Sequence, residues 1–200
     1  MIHLFQATDL NQPTFLLLHG TGGDEHDLFP LASRIDPTYN VLSVRGEVKE
    51  NGMNRFFRRL AEGVFDEEDV VYRTKALIGF VKEASKTYGF DPAKVVALGY
   101  SNGANIAASV LLHDNSVFRK AILLHALRPL RITPPDLSGI DVFLSAGKTD
   151  RMIQPELTQD LYQELSQANA DVVLHWEEGG HGITLKEIEA AKSWLAEKTG

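Results

Sequence analysis

Short, uninterrupted apolar runs alternate along the chain with longer stretches in which apolar residues recur every three or four positions. The runs are Thr14–Leu18, Val41–Val44, Val95–Gly99, Ala121–Leu124, Val142–Ala146 and Val172–Trp176. Each is rich in β-branched residues or leucine and bounded by Gly, Pro, Asp or Asn, the pattern of strands covered on both faces. Between them, Val70, Thr74, Leu77, Ile78, Val81 and Ser85 fall at helical spacing. The acidic start Asp66-Glu67-Glu68-Asp69 suits the positive end of that helix. Ala104–Leu112, Glu156–Ala168 and Leu185–Glu197 read as helices in the same way. Strand and helix in alternation predict βαβ units and a mostly parallel sheet. There is no internal repeat, and Thr133-Pro134-Pro135 reads as a loop rather than a linker, so residues 1–200 are expected to form a single α/β domain. In such sheets ligands bind beyond the carboxyl ends of the strands, which directs attention to the residues just after each run.

Composition narrows the chemistry. With 44% hydrophobic and 24% charged residues the chain is globular rather than disordered. A formal net charge of -7 argues against broad contact with a phosphate backbone, so no nucleic-acid partner is expected. The absence of cysteine removes disulfides, thiolate metal sites and every cysteine-nucleophile mechanism. The stretch Met1–Ala7 has neither the basic nor the long apolar part of a signal peptide, and no apolar run approaches the ~20 residues of a membrane span. The expectation is a cytoplasmic protein without a membrane partner, present as a monomer or homodimer.

The run Val95–Leu98 leads into Gly99-Tyr100-Ser101-Asn102-Gly103 and then a small-residue helix. This is G-x-S-x-G in its required strand–turn–helix setting, where the turn lifts the serine hydroxyl clear of the sheet and aims a helix N-terminus at developing negative charge. Ser101 is thus the candidate nucleophile; a serine N-cap on an ordinary turn is the plain alternative, which would not need both glycines. A hydroxyl nucleophile needs a base and the base an orienting acid, in the chain order Ser, Asp or Glu, His. Asp150 lies just past Val142–Ala146, and His181 lies in a glycine-flanked loop after Val172–Trp176. Asp141 and Asp171 start their strands on the wrong edge, Asp136 sits in the proline loop, His175 lies within a strand, His113 ends a helix, and His3 and His26 precede the nucleophile. Glycine-rich His19-Gly20-Thr21-Gly22-Gly23 follows the first strong run without any nucleotide-binding spacing. As an oxyanion loop it would offer the amide of Thr21, with Gly22 the near alternative, and Asn102 would offer the second amide. Such donors are worth about 3 kcal/mol each in a transition state. His19 reads as a brace for this loop, and Asp24, Glu25, His26 and Asp27 as a helix cap rather than metal ligands.

These motifs resemble the α/β-hydrolase carboxylesterase/phospholipase family, which also includes dienelactone-hydrolase-like and acyl-protein-thioesterase-like enzymes. The resemblance spans Phe15 to the C-terminal helix. It implies an α/β-hydrolase fold with helices on both faces of the sheet and a Ser101–His181–Asp150 triad working without metal or organic cofactor. Arg45-Gly46 with Asn51–Arg59 looks like a subgroup of small bacterial esterases, some linked to quinone stress. Dienelactone hydrolases proper use a cysteine nucleophile; here the work falls to serine.

The segment Val44–Phe65 falls on the rim of the expected site and mixes Phe56, Phe57 and Phe65 with Arg55, Arg58 and Arg59. It reads either as a lid or acyl-pocket wall whose arginines favour substrates bearing a carboxylate or phosphate, or as a helix with its phenylalanines in the core. Gly22, Phe56, Phe57, His125 and Met152 are the candidate pocket residues, with Leu124 and Leu127 beside them. No insertion is long enough for a cap domain. The expected function is a carboxylesterase acting on small-molecule esters of short to medium acyl chains. A thioesterase, lysophospholipase or acyltransferase with the same triad, and a non-catalytic ligand-binding protein on the same fold, are the alternatives.

Overall fold

The structure is a computed structural model and describes residues 1–199. Eleven strands and five helices follow in order: β1 (His3–Gln6), β2 (Thr14–Leu18), α1 (Phe29–Ile35), β3 (Asn40–Val44), β4 (Val48–Glu50), β5 (Met53–Arg55), β6 (Arg59–Ala61), β7 (Val64–Phe65), α2 (Glu67–Tyr88), β8 (Val95–Tyr100), α3 (Asn102–His113), β9 (Lys120–Leu124), β10 (Asp141–Gly147), α4 (Pro155–Gln167), β11 (Asp171–Glu177) and α5 (Leu185–Thr199). Seven strands form one sheet in the order β1-β3-β2-β8-β9-β10-β11, parallel throughout except for β1 against β3. The six apolar runs are its six parallel strands.

Alternation along each strand sends side chains to two separate cores. On one face Leu16, Leu18, Leu42, Ala97, Leu123 and Leu144 pack under α2, α3 and α4. On the other, Phe15, Leu17, Leu98, Ile122 and Phe143 meet Ala32 and Ile35 of α1 and Ile188, Ala191 and Trp194 of α5. Burying each large apolar side chain contributes about 1.5–3 kcal/mol, so both faces must be covered for the sheet to persist. Asp66 caps α2, its carboxylate accepting from the Asp69 N–H at 3.2 Å, an interaction worth about 1 kcal/mol.

The chain leaves β2 toward β3 on one side and returns past it to β8 on the other. The loops after β2 and β8 therefore part at a switch in strand order, where a crevice must open. Three features depart from the sequence expectations. β1 is a short, half-buried edge strand with too few apolar positions to announce itself. The segment after β3 is neither a helix nor an unstructured lid but two hairpins, β4–β5 and β6–β7. Asn51 and Gly52 turn the first at φ 50° and 82°, the left-handed pair that an Asn-Gly turn supplies. Finally, Asp24–Asp27 cap no helix. α1 begins at Phe29 after Leu28, without a side-chain cap. Asp24 instead accepts the His26 N–H at 2.8 Å, and Glu25 is buried against Arg45, with Nη2 2.7 Å from Oε1.

Candidate active site

Ser101 sits between β8 and α3 at φ 51° and ψ −114°, a conformation that a non-glycine residue adopts only when its surroundings impose it. The imposition is visible in the packing. A Cβ on Gly103 would overlap the Leu18 carbonyl, and the Ser101 N–H is tied to Leu124 O at 2.9 Å. The turn thus has one shape, and the hydroxyl stands at the carboxyl edge of the sheet.

Asp150 and His181 reach that hydroxyl from the ends of β10 and β11. Their loops cross closely, since a Cβ on Gly147 would overlap the Gly180 carbonyl. His181 Nε2 lies 2.9 Å from Ser101 Oγ, and His181 Nδ1 lies 2.7 Å from Asp150 Oδ2. The other carboxylate oxygen accepts the N–H groups of Met152 and Ile153 at 2.8 and 3.0 Å. Burial would raise the Asp150 pKa, but the bond to His181 and these two amides outweigh it and hold the carboxyl below its ordinary range. An ionised carboxylate on Nδ1–H leaves Nε2 free to accept the serine proton. The Tyr100 hydroxyl donates to His181 O at 2.9 Å and steadies the loop from below.

Thr21 and Asn102, whose amides are the expected oxyanion donors, line the same cavity as Ser101. Asn102 begins α3, so its N–H has no intrahelical acceptor. Gly22, the alternative to Thr21, is spent elsewhere: its N–H donates to Asn54 O at 2.9 Å. The first hairpin holds the whole loop. Asn54 Nδ2 donates to Gly23 O at 2.6 Å, Arg55 Nη1 to Thr21 Oγ1 at 2.8 Å, and the Phe56 N–H to Asn102 Oδ1 at 2.7 Å. His19 completes the brace, donating from Nδ1 to Gly20 O at 2.6 Å and accepting the Gly46 N–H on Nε2 at 3.0 Å. Its burial favours the neutral ring and lowers its pKa, against the pull of the Gly20 carbonyl and nearby carboxylates.

A cavity of about 50 Å³ opens over Ser101, lined by Thr21, Arg55, Arg59, Phe65, Leu127 and Met152 among others. Of the expected pocket residues, Met152 and Leu127 are there. Five are not, and each is a correction: Leu124, for one, is buried in the core with Leu98 and Ile122. Phe56 and Phe57 are packed into the core beneath the rim, as the alternative reading of this segment had it, although no helix carries them. Gly22 is exposed, and a Cβ there would meet Met53 of the first hairpin. His125 is completely buried behind the triad rather than lining the pocket. Phe65 stands in the wall instead. Arg55, only 4% exposed, and Arg59 share one carboxylate, Glu50, at 3.2 and 2.9 Å. Burial, and then the neighbouring Arg59, pull the Arg55 pKa below its ordinary value, against the field of Glu50. The sequence assigns no role to Asn54, Tyr100 and Glu187, nor to Asn105, which lines the cavity and whose Oδ1 accepts the Leu127 N–H at 3.0 Å. The Asn51-Gly52 hairpin signal could have found Asn54, while nothing in the string separates Glu187 from an ordinary surface glutamate.

This strand order, with a strained serine at the switch point and an Asp–His pair on the last two strands, defines an α/β-hydrolase, and the comparisons make it a hydrolase enzyme. Residues 45–198 match the Dienelactone hydrolase family, and the chain belongs to that family. It is 48% identical over 198 residues to MhqD of Bacillus subtilis (strain 168), a hydrolase by name, covering 98% of each chain. Among solved structures it is similar to the Bacillus cereus carboxylesterase, at 51% identity and a TM-score of 0.96 over 98% of this chain and 93% of that one. It is also similar to YahD solved with malic acid, at 33% identity and a TM-score of 0.93 over 98% of each. Among the described residues no helix is long and apolar enough to cross a membrane.

Proposed function

We propose that the protein is a serine carboxylesterase in which Ser101, His181 and Asp150 carry out two-step acyl transfer to water. The observation that carries this reading is the continuous line from Ser101 Oγ through the His181 ring to Asp150, with contacts of 2.9 and 2.7 Å. Ser101 Oγ attacks the ester carbonyl while His181 Nε2 takes its proton. The tetrahedral oxyanion is held by the amides of Thr21 and Asn102. Collapse expels the alcohol, which receives the proton from His181, and leaves an acyl group on Ser101. Water, deprotonated by the same imidazole, then releases the acid.

The cavity bears on the acyl group. About 50 Å³ holds roughly three or four waters, which favours acyl groups at the short end of the expected range. The guanidinium in excess over Glu50 favours an acyl group that ends in a carboxylate, although exposed Glu62 stands at the mouth. The relative YahD, solved with malic acid, fits a site that accepts small carboxylates. The test is a panel of p-nitrophenyl esters: acetate, butyrate, hexanoate, decanoate and the succinate half-ester. Turnover is expected to fall sharply beyond butyrate, with the half-ester preferred to butyrate. Ser101→Ala should lower kcat/KM by about four to six orders of magnitude. Unchanged turnover in that variant would overturn the assignment.

A further inference from the structure

A second imidazole lies beneath the first. β8 and β9 pair with Tyr100 opposite Leu124, so Ser101 and His125 are the next residues on neighbouring strands, and both turn left-handed, at φ 51° and 54°. The His125 N–H donates to Ser145 O at 3.0 Å. This twist sets its ring, fully buried, with its centroid 5.3 Å from that of His181.

The ring stands between two carboxylates delivered by different elements. Nε2 is 3.2 and 3.3 Å from the two oxygens of Glu187, and Nδ1 is 3.5 Å from Asp150 Oδ2, the oxygen that also meets His181. Glu187 is itself wholly buried. It accepts the Ser145 hydroxyl and, at 3.2 Å, the Thr184 N–H, while Thr184 Oγ1 accepts the Glu187 N–H at 3.1 Å. Thr184 and Glu187 thus form a reciprocal cap at the start of α5, but one whose carboxylate points inward. Among the described residues, the two imidazoles are the only groups placed to pair as cations with Asp150 and Glu187. A neutral His125 that donates from Nε2 to Glu187 would turn the lone pair of Nδ1 toward Asp150, and Nδ1 has no good hydrogen-bond partner. The imidazolium directs an N–H at Glu187 and places its charge, rather than a repelling lone pair, 3.5 Å from Asp150.

We propose that His125 is held as a buried imidazolium between Glu187 and Asp150, a positioning residue that shares Asp150 Oδ2 with His181 and offsets the field of Glu187. Without that offset, the buried carboxylates would hold a proton on His181 and block the serine. Burial works against the charge on His125, but the bond and field of Glu187, joined by Asp150, outweigh it and raise its pKa above the ordinary value. The other groups facing the ring are Tyr100 from β8, Ser145 from β10 and His181 from the loop after β11. The Tyr100 hydroxyl is pushed up by burial and then by Asp150 and Glu187, which marks the negative field that His125 offsets.

The inference rests on the proposed triad, and its test separates the two. In wild-type protein with ¹⁵N-labelled histidine, the His125 ring is expected to carry protons on both nitrogens at pH 7.5, a readout that needs no catalysis. A neutral ring would overturn the proposal, whereas a wild-type protein inactive on esters would overturn the triad. His125→Asn removes the charge with a residue that tolerates the left-handed backbone. In its pH profile of kcat/KM on p-nitrophenyl acetate the acid limb is expected to move up by roughly one pH unit, the size of a charge effect at ring-to-ring distance. An acid limb that stays in place in a folded His125→Asn variant would overturn the proposal. If that variant does not fold, Glu187→Gln decides: it should strip one proton from the His125 ring at pH 7.5, and a ring still doubly protonated would contradict the account.

Discussion

The two sides of the cleft are held by different means. On the sheet side, Ser101, Asp150 and His181 stand at the ends of β8, β10 and β11, over backbone so close that Gly103 and Gly147 have no room for a Cβ. On the rim side, the glycine-rich loop after β2 hangs on side chains of the first hairpin, Asn54 on Gly23 and Arg55 on Thr21, and the Phe56 amide beyond the hairpin reaches across to Asn102 Oδ1. The first arrangement is fixed by strand register, which cannot shift without undoing two cores. The second depends on individual hydrogen bonds, each worth about 1 kcal/mol net. The proposed reacting groups and the Asn102 amide are thus carried by the stiff half, while the Thr21 amide proposed to stabilise charge is carried by the half that is easier to loosen.

Perturbing each half should give effects of different size. On the sheet side, Asp150→Asn keeps the shape but favours the wrong tautomer of His181, and kcat is expected to fall about 10⁴-fold in steady-state ester assays. On the rim, Asn54→Ala leaves the triad untouched and releases the loop. A displacement near 1 Å there costs up to about 10²-fold, so kcat should fall ten- to a hundredfold with little change in KM. Equal losses from the two variants would erase the distinction.

Acidification should separate the halves more gently. The pKa of His19 is lowered in the fold, so the folded protein binds fewer protons there than the unfolded chain. Its contribution is full above about pH 6.5, the unperturbed value, and is lost as pH falls below it. Asp150 is also lowered, so its contribution is lost in the same direction, but only as pH falls through the carboxylate range. Hydrogen exchange followed from pH 7 to pH 5 should therefore show the Gly46 amide, bound to His19 Nε2, losing protection before the Met152 and Ile153 amides that Asp150 holds.

The same division explains what could be read from the sequence. Strands buried on both faces leave apolar runs, and strand ends carry the chemistry in this class of sheet, so Ser101, Asp150 and His181 could be named from order and context. The rim is built of two- and three-residue strands and the link between them, where Phe56 and Phe57 serve the core while Arg55, Arg59 and Phe65 serve the wall, a mixture that obeys neither helix nor strand period. The Asn51-Gly52 turn was there to be read, but its partners across the loop were not. His125 could be placed at a strand end, yet the direction of its ring depends on a left-handed backbone that histidine does not announce. Thr184 and Glu187 show the spacing of a helix cap, and only the fold reveals that Glu187 points inward.

The central claim, that Ser101 is an activated nucleophile, is tested most directly by labelling the folded protein with a fluorophosphonate and locating the adduct by mass spectrometry of the digested chain. A single adduct on the peptide containing Ser101, absent from Ser101→Ala, is the expected result. A folded wild-type protein that takes no label, or takes it on another residue, would contradict the account.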